Sequence, residues 1–117
     1  MTQANHAALL ALDIGAAKHA FVFEDGGHQQ GGEVRNETAE LRRFLQARLR
    51  HGRPLRLLLE ATGIYYLDVA LLAVELGIEV MVINPKAGHN FAKALGQRSK
   101  TDRLDARMLL EFHKRMP

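Results

Sequence analysis

The chain has 117 residues, 47% hydrophobic and 25% charged, which suits one globular domain and excludes a disordered or fibrous chain. It has no cysteine, so a disulfide framework and a cysteine zinc site are both excluded, as fits a reducing cytoplasm. The formal net charge is +3, but from Lys86 onward eight basic residues oppose three acidic ones, so this segment carries +5 and the preceding part −2. A basic excess gathered in one segment points to an anionic partner such as nucleic acid, with a solvated helical face as the plain alternative.

The opening "MTQANHAALLALDIG" has no basic region before its apolar run, and Asp13 interrupts that run, so it is not a signal peptide. No stretch approaches the roughly 18–20 apolar residues of a membrane helix, and a soluble intracellular protein is expected. "HAALLALDIG" reads as a buried strand ending near Asp13 and Ile14. "KHAFVFE" is a second strand, "DGG" a hairpin turn, and "HQQGGEVR" a weaker third strand whose glycines point to a bulge or an edge. The period then changes. "NETAELRRFLQARLRHG" has Leu41, Phe44, Leu45 and Leu49 at helical spacing, with Asn36 or Thr38 as cap. "PLRLLLE" is a continuous apolar strand closing on Glu60. "ATGIYYLDVALLAVELG" reads as a helix with Thr62 as cap and a stripe of Ile64, Leu67, Leu71 and Val74. "IEVMVI" is a fifth strand, and Asn84-Pro85 starts a helix running to Gly96. "TDRLDARMLLEFHKRM" is the last helix, capped by Ser99. The order β-β-β-α-β-α-β-α-α predicts an α/β fold, a mixed five-stranded sheet covered by helices on both faces. Residues 1–117 form one domain, and the last helix runs to Pro117 without a terminal cap, so a longer natural chain is expected.

The acids fall at informative places. Asp13 and Glu60 end strands, and Asp102 and Asp105 are spaced to share one face of the last helix. If the first and fourth strands are parallel neighbours, Asp13 and Glu60 emerge side by side, and a helix crossing there brings Asp102 and Asp105 to them. Four carboxylates converge only with compensation, and Mg²⁺ prefers oxygen ligands. A pair of such ions is a recurring device for phosphodiester chemistry. Lys86, Lys93, Arg98, Lys100, Arg103 and Arg107 are the candidate phosphate contacts. Each acid also has a plain reading: a strand-end turn for Asp13, a strand exit for Glu60, helix-dipole partners for the two aspartates. Tyr65 and Tyr66 read as packing residues ahead of base stacking, and the six histidines show no metal-ligand spacing and receive no role.

"LDIGAAKHAFVF", "LLLEATGIYY", "VMVINPKAGHNFAKALG" and "SKTDRLDARML" together resemble the N-terminal domain of the IS110 family of bacterial insertion-sequence transposases, over nearly the whole chain. The resemblance implies a ribonuclease-H-like fold akin to the Holliday-junction resolvase RuvC. It implies an Asp-Glu-Asp-Asp tetrad, matched in order by Asp13, Glu60, Asp102 and Asp105, that binds Mg²⁺ or Mn²⁺ and supports DNA cleavage and strand exchange in the bacterial cytoplasm. It further implies a homo-oligomer, a structured guide RNA in some members, and a second domain bearing a nucleophilic serine that these 117 residues do not include. The chain alone is therefore not expected to be a competent recombinase. Two other readings stay open. "LDIGAAK" is similar to the first phosphate loop of actin-like and sugar-kinase phosphotransferases, and a basic module can hold nucleic acid without catalysis.

Overall fold

The computed structural model describes residues 7–49, 53–94, 96 and 104–115. Strands β1 (Ala8–Asp13), β2 (Lys18–Asp25) and β3 (His28–Arg35) are followed by helix α1 (Thr38–Gln46). Then come β4 (Leu55–Glu60), α2 (Tyr65–Glu75), β5 (Glu79–Ile83), α3 (Pro85–Ala94) and α4 (Ala106–Arg115). The strands make one sheet in the order β3-β2-β1-β4-β5. β2 pairs antiparallel with β1 and with β3, whereas β4 runs parallel to β1 and to β5. The expected mixed sheet and the expected adjacency of the first and fourth strands are both present.

The hairpin forms where the sequence places it. Asp25 pairs with His28, leaving Gly26 and Gly27 as a two-residue loop at φ +60° and +86°. Two consecutive positive φ values match the twist of a hairpin and suit glycine. β3 is an edge strand, and its register with β2 is unbroken, so its glycines mark no bulge. Gly32 instead makes room for a neighbour, since a Cβ there would lie 2.9 Å from the Phe21 ring.

Side chains alternate across the sheet, so each strand feeds two cores. Leu10, Leu12, Phe21, Leu57 and Leu59 pack with Leu41 and Leu45 of α1 and Val69 and Leu72 of α2. On the opposite face Ala11, Leu58 and Ile83 pack with Leu104 and with Leu109 and Leu110 of α4. Edge-to-face contact of Phe91 with Phe112, 5.4 Å between centroids, joins α3 to α4.

Helix starts and faces depart from expectation in four places. α1 is capped by Glu37, whose side chain accepts the Glu40 N–H, not by Asn36 or Thr38. Asn36 is committed elsewhere, to the loop after β1. Thr62 does not cap α2: its N–H donates to the Glu60 carbonyl in a tight turn, Gly63 sits at φ +64°, and the helix begins at Tyr65. The α2 stripe is inverted. Val69, Ala70, Leu72 and Ala73 are buried, while Ile64, Leu67, Leu71 and Val74 are 50–76% exposed. The physical reason is that "YYLDVALLAV" is apolar on nearly every side, so periodicity alone does not choose a face. Finally, α4 starts at Ala106, so Asp105 precedes that helix and is not within it. Asp105 is its cap, accepting the Met108 N–H at 2.8 Å. Ser99 lies outside the described residues.

Candidate active site

Three of the four acids can be placed. Leu12 lies opposite Leu59 on parallel strands, so the residues that follow, Asp13 and Glu60, leave adjacent strands at the same end of the sheet. Asp13 has the parity of Ala11, and Glu60 that of Leu58; both of those face the α3–α4 core. The two carboxylates therefore project to one face as well as one end.

Glu60 is buried, which requires hydrogen bonding to offset lost hydration. Its Oε1 accepts the Leu104 N–H at 3.1 Å. This bond ties Leu104, the residue just before Asp105, to the end of β4. α3 closes over the same carboxylate. It starts as expected at Asn84-Pro85, with Asn84 Oδ1 accepting the Lys86 N–H at 2.7 Å and its carbonyl the Gly88 N–H. Gly88 is buried, and a Cβ on it would stand 2.5 Å from Glu60 Oε2 and 3.1 Å from Leu104 Cδ1. The absent side chain is the space Glu60 occupies.

Asp102 lies outside the described residues. Among the described residues no three His, Cys, Asp or Glu side chains are grouped so as to hold a metal ion. The candidate phosphate contacts divide likewise. Lys86 and Lys93 are exposed on α3, seven residues apart and so on one face, and Arg107 is exposed on the first turn of α4. Arg98, Lys100 and Arg103 lie outside the described residues. Among the described residues no helix is long and apolar enough to cross a membrane.

Residues 10–117 match the family model for DEDD transposases of the IS110 type, described as a transposase. The chain belongs to the IS110 DEDD transposase family. Pilin gene-inverting proteins of Moraxella lacunata and Moraxella bovis are each 38% identical over 73 residues, which cover 62% of this chain and 23% of theirs. The chain thus matches about a quarter of the length of these relatives. Among solved structures, T. thermophilus RuvC in complex with Holliday junction substrate superposes with a TM-score of 0.55 at 15% identity, over 95% of this chain and 96% of that one. That likeness establishes the RuvC-like, ribonuclease-H-like fold of this IS110-family chain.

Two residues of the site escaped the sequence reading. Gly88 looked like any glycine in a helix, where it is merely unfavourable. His19 received no role, yet it is fully buried at an inward position of β2, two residues before Phe21. The only available signal was its period-2 phase with Phe21 and Phe23. Burial lowers the His19 pKa below its ordinary 6.5, against the opposing pull of the Asn36 hydrogen bond and of the Asp13 charge. Burial also lowers that of His113, aided by the Arg56 guanidinium and opposed by Glu79. In both cases the unfolded chain takes up protons more readily than the folded one. Stability is therefore expected to be full above pH ~7.5 and to decline as pH falls through the ordinary histidine value near 6.5. Urea midpoints measured at about pH 7.5, 6.5 and 5.5 should fall in that order, and less steeply in His113→Phe.

Proposed function

We propose that this chain is the acidic half of the active site of a transposase that cuts and rejoins DNA. The observation that carries the reading is the exit of Asp13 and Glu60 from adjacent parallel strands onto one face, with the Glu60–Leu104 bond anchoring the residue that precedes Asp105. Asp13, Glu60 and Asp105, with Asp102 as the fourth donor, would hold Mg²⁺ or Mn²⁺. Such ions, once bound, stabilise charge on the attacking and leaving oxygens of a phosphodiester. The chain's own contribution is to aim oxygen donors from rigid strand ends and to bind the DNA backbone through Lys86, Lys93 and Arg107, joined by Arg98, Lys100 and Arg103. The attacking serine would come from a further domain of the recombinase, in the bacterial cytoplasm. A structured guide RNA would use the same cationic surface, since both nucleic acids offer phosphates.

We further propose that the domain works as a homo-oligomer. Ile64, at the cap of α2, and the outward Leu67, Leu71 and Val74 on that helix follow a three-four-three spacing that suits the seam of a helix pair. Val82, 46% exposed on edge strand β5, lies on the same side of the sheet, because it pairs with inward-facing Leu59. An apolar stripe of this kind is a poor solvent surface and a good contact for a second copy. Light scattering after chromatography should give a dimer or larger species, and Leu71→Glu should lower the mass to that of one chain. An unchanged elution and mass would remove this part of the reading.

A competing reading is a non-catalytic nucleic-acid module. It is favoured by one observation: an oxygen of Glu60 and one of Asp105 already serve backbone N–H groups. Crystals soaked in Mn²⁺ separate the two. Anomalous density among Asp13, Glu60, Asp102 and Asp105 supports the active-site reading. Its absence, with DNA binding retained when all four acids are neutralised, supports the module.

A further inference from the structure

The loop between β1 and β2 follows Asp13 directly, and it is built around a buried histidine. The Gly15 N–H donates to His19 Nδ1 at 3.1 Å. A nitrogen that accepts there carries no proton, so the proton of neutral His19 sits on Nε2, which faces Asn36 Oδ1 at 3.2 Å. Asn36 completes the ring of contacts. Its side-chain Nδ2 donates to the Ala16 carbonyl at 2.8 Å, and its backbone N–H donates to the Ala17 carbonyl at 2.9 Å. Both ring nitrogens of His19 and both ends of the Asn36 amide are thereby used. The turn is also too tight for a side chain at Gly15, where a Cβ would collide with the Lys18 carbonyl oxygen. His19 lies on the α1–α2 side of the sheet, in phase with Phe21, whereas Asp13 projects to the other side. The histidine thus braces the strand end from behind.

We propose that His19 is a positioning residue for Asp13: bonded through Nδ1 to Gly15 and through Nε2 to Asn36, it locks the loop of residues 14–17 and fixes the strand end from which the Asp13 carboxylate emerges. The functional part rests on the reading of Asp13 as a metal ligand. Groups that orient metal ligands from behind typically matter by about 10–100-fold in metal affinity.

The side-chain chemistry offers a split test. Asparagine at position 19 places an acceptor oxygen near the Nδ1 position, while leucine keeps the bulk and removes the acceptor. Mn²⁺ affinity is measured by calorimetry and Gly15 amide exchange by NMR, both well below the melting temperature of each variant. His19→Leu should weaken Mn²⁺ by about 10-fold or more and free the Gly15 amide to exchange, and His19→Asn should recover most of both losses. Should His19→Leu fail to fold, Asn36→Ala, which removes the second anchor, should give the same paired loss to a smaller degree. Mn²⁺ affinity within twofold of the parent, with the Gly15 amide freed, would overturn the proposal, as would a Gly15 amide that stays protected without His19. Asp13→Asn tests the underlying metal reading separately. If it leaves Mn²⁺ binding unchanged, that reading fails, and the positioning claim is then decided by the Asp13 carboxyl ¹³C shift. Movement of that signal in His19→Leu with return in His19→Asn supports the claim, and no movement overturns it.

Discussion

Asp13→Asn is expected to lower Mn²⁺ affinity by at least about 100-fold, because loss of a direct oxygen ligand should cost no less than loss of an outer-shell group. The same substitution should leave the melting temperature unchanged or slightly raised without metal. Asp13 and Glu60 project from neighbouring strand ends to one face, where like charges repel. A neutral amide of the same shape relieves that repulsion while keeping the strand end filled. A second readout comes from across the sheet. The Asp13 charge favours protonation of His19, so Asp13→Asn should push the His19 pKa lower still. Calorimetry, thermal melts and an NMR titration of the imidazole check the three parts. A stable variant with parental Mn²⁺ affinity would exclude Asp13 from the metal site.

Leu59→Ala is expected to cost about 2–5 kcal/mol, the usual range for opening a cavity at a fully buried leucine. Leu59 has no exposed surface, lies opposite Leu12 on β1, and packs in the layer beneath α1 and α2. It also immediately precedes Glu60, so a slackened β4 would loosen the carboxylate as well as the core. Leu71→Ala, by contrast, should change the stability of one chain by less than about 0.5 kcal/mol, because Leu71 is 61% exposed. Urea denaturation of the two variants, at a concentration low enough to keep the chain monomeric, measures the difference. Equal losses would mean that the α2 faces are assigned the wrong way round.

That contrast shows where the reading of the sequence ran out. Helix α1 has a clear apolar stripe, and Leu41 and Leu45 from it are buried as expected. Helix α2 is apolar nearly all round, so its inward face is chosen by what the sheet offers: β4 and β5 take Val69, Leu72 and Ala73, and the equally apolar Leu67 and Leu71 are left outside. The start of α4 was hidden for a related reason. The sequence points to Ser99 as the cap, but Asp105 is as competent a cap. The choice of Asp105 follows from a distant contact, the Glu60 carboxylate holding the Leu104 N–H in place just before the helix.

Strand identity, the hairpin, the mixed sheet and the placing of Asp13 and Glu60 at strand ends were determined by sequence alone. Continuous apolar runs, a Gly-Gly turn and a charge closing each run are local signals with local causes. Tertiary structure decided the rest. Only strand register puts Asp13 and Glu60 on one face, only a long-range hydrogen bond ties Leu104 to Glu60, and only the packing of α3 turns Gly88 into space for a carboxylate. His19 is the plainest case. Its partners Gly15 and Asn36 are 4 and 17 residues away, and it acquires a role only when the β1–β2 loop folds back onto the start of α1. Such groups depend on burial and on partners far along the chain, and neither is written in the spacing of residues.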